Sequence, residues 1–332
     1  MKISKKLIFL FKVLLTLGLI LFLVKRLKMG EVKHIILQIK LSYLFLAALF
    51  YLFIMGITAY RWQCLLRIHR IKLGMAKLIR LTFVGYFFNN FLPTTVGGDL
   101  VKGYLVGKET GKSAESYVSV LMDRLVGITG LFVMAFAVIC FLPLLQDNRT
   151  IMYAVWGGFI VCGSMVFLST ISGKHWLGKL TFLKRLFQKL KIDDKIRKTC
   201  DAFSAHKQYK NVLIKTVLLS LVIQVCFIAV NYFVVKGLPV PVSVPLIYFF
   251  IYTPTIALIS SLPITINGIG IRENLYVGFF GGLIGVQIAG SFSIILLLFL
   301  WAAGIAGGIC YLFSHLKIAP IKTLFAKEEA EL

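Results

Sequence analysis

Lys102 and Arg272 close two copies of one short pattern, and the pattern is suited to holding an anion. Leu92-Pro93-Thr94-Thr95-Val96-Gly97-Gly98 precedes Lys102, and Leu262-Pro263-Ile264-Thr265-Ile266-Asn267-Gly268 precedes Arg272. Leu, Pro, Thr, Gly and the cation recur in register, 170 residues apart. Proline removes an amide donor and stops a helix before it. Thr95 and Thr265 are candidate helix caps, and the glycines allow tight turns. New helices are expected near Gly98 and Gly268. A helix amino terminus presents unpaired N–H groups and positive potential, which is an anion site. Lys102 and Arg272, one turn further on, add full charge, so a phosphate headgroup is the natural ligand. The competing reading is a kink packed by glycines, its cations reaching toward the membrane interface.

Three acids complete the set. Asp123 and Arg124 fall inside an apolar stretch, where each charge costs roughly 2.5–3.5 kcal/mol near the bilayer centre on insertion scales. Neighbours on a helix point about 100° apart, so the two need not pair with each other. Asp123 with Lys102, or Arg124 with a lipid phosphate, are the pairings to look for. An interhelical salt link that only fixes packing is the alternative. Asp99 and Glu273 are candidates to carry a coupling proton, or they simply neutralise the nearby cations.

Other chemistries are poorly supported. Gly107-Lys108-Glu109-Thr110-Gly111-Lys112-Ser113 resembles a phosphate loop but has three residues between its glycines where four are needed, and no buried strand precedes it. The six cysteines (Cys64, Cys140, Cys162, Cys200, Cys226, Cys310) form no CxxC, and the five histidines are dispersed, so neither a metal nor another cofactor is expected. A net charge of +24 would suggest nucleic acid on a soluble chain. Here most basic residues lie between apolar runs, where cytosolic retention and anionic lipid account for them. Gly278–Gly282, Gly281–Gly285 and Gly304–Gly308 are GxxxG spacings that suit close helix packing.

The elements that must position these residues are membrane helices. The chain is 59% hydrophobic, and residues 41–60, 151–171, 216–235, 242–271 and 274–316 carry no charge; 7–24 carries only Lys12. Such runs can cross about 30 Å of hydrocarbon, and barrel strands would instead alternate polar and apolar. The amino terminus has the basic start of a signal peptide. Its long apolar stretch, without a small-residue cleavage site, reads as a retained anchor.

Charge sets the expected topology. Loop 61–80 carries +6 and loop 172–212 carries +8, whereas 143–150 and 236–245 are nearly neutral. The first pair is expected in the cytosol and the second outside. Parity then makes 81–116 begin and end on one face, by crossing twice or by dipping in and returning; only 81–98 is uncharged, so a re-entrant hairpin fits better than two full spans. Residues 242–316 have length for about three crossings, with Pro254, Pro263, Gly268 and Gly270 interrupting the first. The second echo then inserts from the opposite direction, an inverted repeat. Loop 25–40 resists, because it carries +4 where parity places it outside. In the central loop, Trp176, Leu180, Leu183, Phe187 and Leu190 recur at helical spacing among basic residues. Segment 174–191 therefore reads as an amphipathic helix on anionic inner-leaflet lipid, or as a solvated helix packed on its neighbours.

These residues resemble a known family, the lysylphosphatidylglycerol synthase transmembrane family or flippase-like membrane domain. Asn90-Phe91-Leu92-Pro93 with Gly97-Gly98-Asp99 and Lys102, Asp123-Arg124 with Gly127, and Pro263 with Gly268, Gly270, Arg272 and Glu273 carry the resemblance over nearly the whole chain. Asn267 stands where glycine is the expected residue. The resemblance implies a polytopic helical domain that moves or positions phospholipids. The soluble domain that transfers lysine from tRNA in the best-known members has no counterpart here, so aminoacyl transfer is not expected of this chain.

The expectation is an all-α, polytopic helical bundle with two pseudo-symmetric inverted repeats containing broken segments, in the cytoplasmic membrane of a bacterium or archaeon. One membrane domain, 1–332, comprises a first half at about 41–171 with a broken segment at 81–105, the cytosolic loop 172–212, a second half at about 213–316 with a broken segment at 254–275, and a tail at 317–332. Its partners are membrane lipids, a separate lipid synthase or glycosyltransferase, or further copies of itself, and not nucleic acid. Lipid translocation or binding is the leading function. A polyprenyl-phosphate enzyme using Asp99, Asp123 or Glu273, a small-anion transporter, and a non-transporting partner of a synthase are the rivals.

Overall fold

The computed structural model describes residues 5–91, 97–140, 209–261 and 264–313. Thr95, Pro93, Pro263, the connection 143–150, the run 151–171, the amphipathic segment 174–191 and the tail 317–332 lie outside the described residues. The described chain forms ten α-helices and one 3-10 turn, with no strand among the described residues.

Four helices have 28 residues each: α3 (Leu41–Ile68), α6 (Ser113–Cys140), α7 (Lys210–Gly237) and α10 (Val286–Phe313). At 1.5 Å per residue each spans about 42 Å, the thickness of a bilayer with its headgroups. All four are long and apolar enough to cross a membrane, α6 over Ser113–Met134. Their outward residues, such as Leu52 and Phe53 on α3 or Leu298, Trp301 and Ile305 on α10, are exposed and apolar, as contact with lipid requires. The chain is an all-α, multi-pass membrane protein.

Contacts at the helix ends define two faces. On one, Lys112 Nζ reaches the His69 carbonyl (2.9 Å), Lys77 pairs with Glu109, and Lys215 bonds Tyr60. On the other, the Lys40 amide donates to the Gly237 carbonyl and the Lys28 amide to the Gln287 side chain. Loop 25–40 therefore shares a face with 236–245, its charge notwithstanding. Most of it is helix α2 (Met29–Leu37), which packs on α10. Helix α1 (Lys5–Arg26) leads into it.

Between the long helices lie two shorter hairpins. Helices α4 (Met75–Phe91) and α5 (Gly97–Thr110) run antiparallel, joined at their outer ends by Lys77–Glu109 and near the tip by Asn89 and Gly98. Helices α8 (Leu246–Ser260) and α9 (Ile271–Ile284) do the same, with the Phe249 and Tyr252 rings packed at a tilt against Phe280 and Phe279. The arms reach beyond 81–105 and 254–275. With 14 to 17 residues, each arm is about 21–26 Å long, short of a full crossing. The expected three crossings in 242–316 are thus one hairpin and one long helix, because the break after Ser260 reverses the chain. The hairpins start from opposite faces, α4 beside Lys112 and α8 beside Gly237.

Helix α8 continues through a proline. Pro254 cannot donate to the Phe250 carbonyl one turn back, and the following Thr255 hydroxyl donates to the Ile251 carbonyl (2.7 Å), an added side-chain bond at the same turn. Helix α10 holds α4 against it through small residues. A Cβ at Gly307 would collide with the Phe83 carbonyl, and one at Gly304 with the Asn90 amide. GxxxG-type spacing here serves backbone approach.

Loop 61–80 is mostly not a loop. Helix α3 continues to Ile68 and α4 starts at Met75, leaving 69–74 as the connection. Arg61 did not end the helix because a buried carboxylate meets its charge.

Candidate functional site

The hairpin tips meet each other. Asn267 Nδ2 donates to Asn90 Oδ1 (2.8 Å), and Asn90 Nδ2 donates to the Leu300 carbonyl (3.0 Å). Leu300 lies halfway along α10, so the tips meet at mid-depth. Asn267 has φ +50°, in the left-handed region. That explains why glycine is the expected residue there, and asparagine is the side chain that best tolerates the conformation.

Around the first hairpin, helices α3, α5 and α6 bring five charges together. Asp99 pairs with Lys102 through Oδ1 (2.8 Å) and with Arg124 through Oδ2. Asp123 accepts from Arg61 Nε (2.7 Å), and Arg61 also donates to Ser220 on α7 (2.8 Å). Lys102 Nζ sits 5.2 Å from the centre of the Trp62 ring, whose indole N–H donates to Ser119. Asp99, Lys102, Asp123 and Arg61 are buried; the Arg124 side chain keeps 37% of its exposure. The expected Asp123–Lys102 pairing is therefore replaced by two others. Lys102 lies one helical turn from Asp99, and Asp123 faces α3.

Arg61 and Trp62 were missed by sequence reasoning. Arg61 directly follows the uncharged run 41–60, so it reads as the first residue of a basic loop. The signal available was the pair of unmatched acids further along, Asp99 and Asp123, which needed cations at depth.

The helix termini are largely satisfied from within. The Gly98 amide donates to Asn89 Oδ1 (2.8 Å). Helix α5 begins at Gly97, close to the expected start. A Cβ on Gly98 would collide with the Gly85 carbonyl, so this glycine serves close approach. In the second hairpin Gly268 ends the 3-10 turn (Ile266–Gly268), and α9 begins three residues later at Ile271. The residue that caps it is Gly270, whose amide donates to Glu273 Oε2 (2.6 Å). Thr265 stands at the N-cap position of the 3-10 turn but makes no side-chain capping bond; it is buried and its hydroxyl has no partner among the described residues. Arg272 donates to Glu273 Oε1 through Nε (3.0 Å) and Nη2 (2.8 Å). Helix α1 crosses this tip, with the Thr16 hydroxyl accepting the Ile266 amide and Asn274 donating to the Leu19 carbonyl.

The sequence-derived residues thus form two clusters among the described residues, one at each hairpin. Lys102, Asp99 and Arg124 share one carboxylate between two cations. Arg272 and Glu273 form a neutral, self-contained pair. Among the described residues no group of three His, Cys, Asp or Glu could hold a metal.

A multi-pass helical bundle whose two broken hairpins enter from opposite faces and touch at mid-depth, with charge gathered beside one of them, defines the class. Comparison with known proteins agrees. The chain belongs to the family described as the lysylphosphatidylglycerol synthase TM region, which matches residues 9–308. It is similar to UPF0104 membrane protein PH1989 of Pyrococcus horikoshii, 26% identical over 297 residues, which cover 82% of this chain and 87% of that one. No solved structure matches it.

Proposed function

We propose that this protein binds an anionic lipid headgroup at the first hairpin and moves or positions it across the cytoplasmic membrane. The observation carrying this reading is the Asp99–Lys102–Arg124 cluster, where one carboxylate faces two cations beside an indole ring. Those three side chains together carry +1. Charge of this kind within a membrane is costly and is commonly found on a ligand pathway. Arg124, the most exposed member, meets the headgroup phosphate first; Lys102 follows from below, backed by the buried Trp62 ring. The acyl chains stay in the surrounding bilayer. Family membership, in a group named for the membrane region of a lipid-modifying synthase, supports a lipid as the ligand.

Movement follows from the paired hairpins. Broken segments that meet at mid-depth from opposite faces allow alternating access if one half rocks on the other. The Asn90–Asn267 contact is where the halves part. The basic connections, 69–74 among them, face the cytosol in this reading. Arg272 and Glu273 keep the second hairpin neutral and stiff, and the cations of the first do the binding.

The test is the lipid that stays with the purified full chain in mild detergent, read by mass spectrometry. Anionic phospholipid or lipid phosphate should be enriched over zwitterionic lipid. Lys102→Met should lower that enrichment about tenfold, the equivalent of one charge-assisted contact. Retention with no headgroup preference, or an unchanged preference in Lys102→Met, overturns the reading.

A further inference from the structure

We propose a second phosphoanion site, at the membrane face, in the cavity lined by Arg67, Arg70, Lys72 and Leu73. It is independent of the hairpin cluster. The cavity holds about 370 Å³, within the range of small-ligand pockets. Two arginines and one lysine are among its lining residues, and none of the three has a carboxylate partner among the described residues.

The turn carrying them is built to a fixed shape. Helix α3 ends in a Schellman motif: the Ile71 amide donates to the Leu66 carbonyl (3.1 Å) and the Arg70 amide to the Arg67 carbonyl (3.0 Å). Gln63 Nε2 pins the Leu73 carbonyl (2.9 Å) and Lys112 Nζ the His69 carbonyl (2.9 Å).

The motif places Arg70 at the left-handed position, with φ +56°. Glycine is the usual residue there, and a bulky side chain in this conformation is strained. An arginine kept where glycine would relieve the backbone points to a use for its side chain. Complementing the negative helix end is not a sufficient use, since Lys112 already donates to the carbonyl of His69, the C-cap residue of α3. Three cations around one concavity, with an apolar wall from Leu73, suit a doubly charged phosphate group better than a single carboxylate. The site lies where α3 leaves the bilayer and α4 enters it, the level of lipid headgroups. The phosphate can therefore belong to a lipid or be free in solution.

Arg70→Gly separates fold from binding. The full chain, in an Arg124→Ala background that weakens the hairpin site, is tested two ways. Nanodiscs of phosphatidylcholine are doped with phosphatidic acid, and detergent-solubilised protein is titrated with inorganic pyrophosphate. Affinity for one or both probes should fall about tenfold in Arg70→Gly, while the unfolding temperature stays level or rises. Loss confined to phosphatidic acid identifies a lipid source; loss of pyrophosphate affinity as well identifies the phosphate itself as sufficient. Arg67→Gln with Lys72→Gln, which leaves the turn's backbone alone, should reproduce the loss. Equal binding by wild type and both variants, or binding of neither probe by wild type, overturns the proposal. The hairpin site is judged separately, by Arg124 in the wild-type Arg70 background.

Discussion

The two hairpins begin from the same sequence pattern and reach different chemistry. Both are broken by a Pro/Gly stretch, both return to the face they came from, and their tips bond to each other through Asn90 and Asn267. The first draws charge from its surroundings: Asp99 and Lys102 on its own arm, Arg124 and Asp123 from α6, Arg61 from α3. The second closes on itself. Glu273 accepts the Gly270 amide and the Arg272 guanidinium together, and aromatic rings fill the space between its arms. A duplicated motif thus marks position in the membrane, while the neighbouring helices decide which copy stays electrically open.

That contrast can be broken by mutation. The largest effect is expected from Asp123→Ala, which leaves Arg61 buried without its carboxylate and should cost about 3–5 kcal/mol of stability. Arg61→Met combined with Asp123→Leu should restore most of it, by unfolding in detergent. A stable Asp123→Ala would show that this pair does not hold α3 to α6. Next is Gly98→Ala, whose new methyl meets the Gly85 carbonyl and should cost about 1–3 kcal/mol. Gly278→Ala on α9, where nothing lies within 4 Å, serves as the control and should stay within about 0.5 kcal/mol of wild type. If the two alanines behave alike, the close approach of α4 and α5 is not as described.

Apart from that control, the smallest effect should come from Asn267→Gly. Glycine relieves the left-handed backbone and loses one hydrogen bond, so the net change should be within about 1 kcal/mol. Asn90→Ala, which loses the tip contact and the bond to Leu300, should cost more. The reverse order in thermal unfolding would place the tip contact elsewhere.

Much of the architecture was legible in the sequence. Uncharged runs gave α3, α7 and α10, and parity made 81–116 begin and end on one face. The Pro254–Gly270 stretch was recognised as broken, but its second arm was counted as part of another crossing. Run length does not distinguish a hairpin from two spans when no charge marks the turn. Helix starts were legible to within a few residues: Gly97 lies beside the expected Gly98, while Ile271 follows Gly268 because a 3-10 turn intervenes. The site was half legible. Lys102, Asp99 and Arg124 could be named because they interrupt apolar surroundings. Their pairing could not, because it depends on which helix faces which. Arg61 was hidden by standing at the edge of a run, where a buried cation and a loop cation look alike in one dimension.

The central claim is that the first hairpin, and not the second, handles an anionic headgroup. Its most direct measurement is the rate at which a labelled anionic phospholipid changes leaflet in proteoliposomes, compared between Arg124→Gln and Arg272→Gln. Arg124→Gln should slow the movement by at least about tenfold, and Arg272→Gln should leave it within about threefold of wild type. Equal loss in both variants, or no loss in Arg124→Gln, contradicts the account.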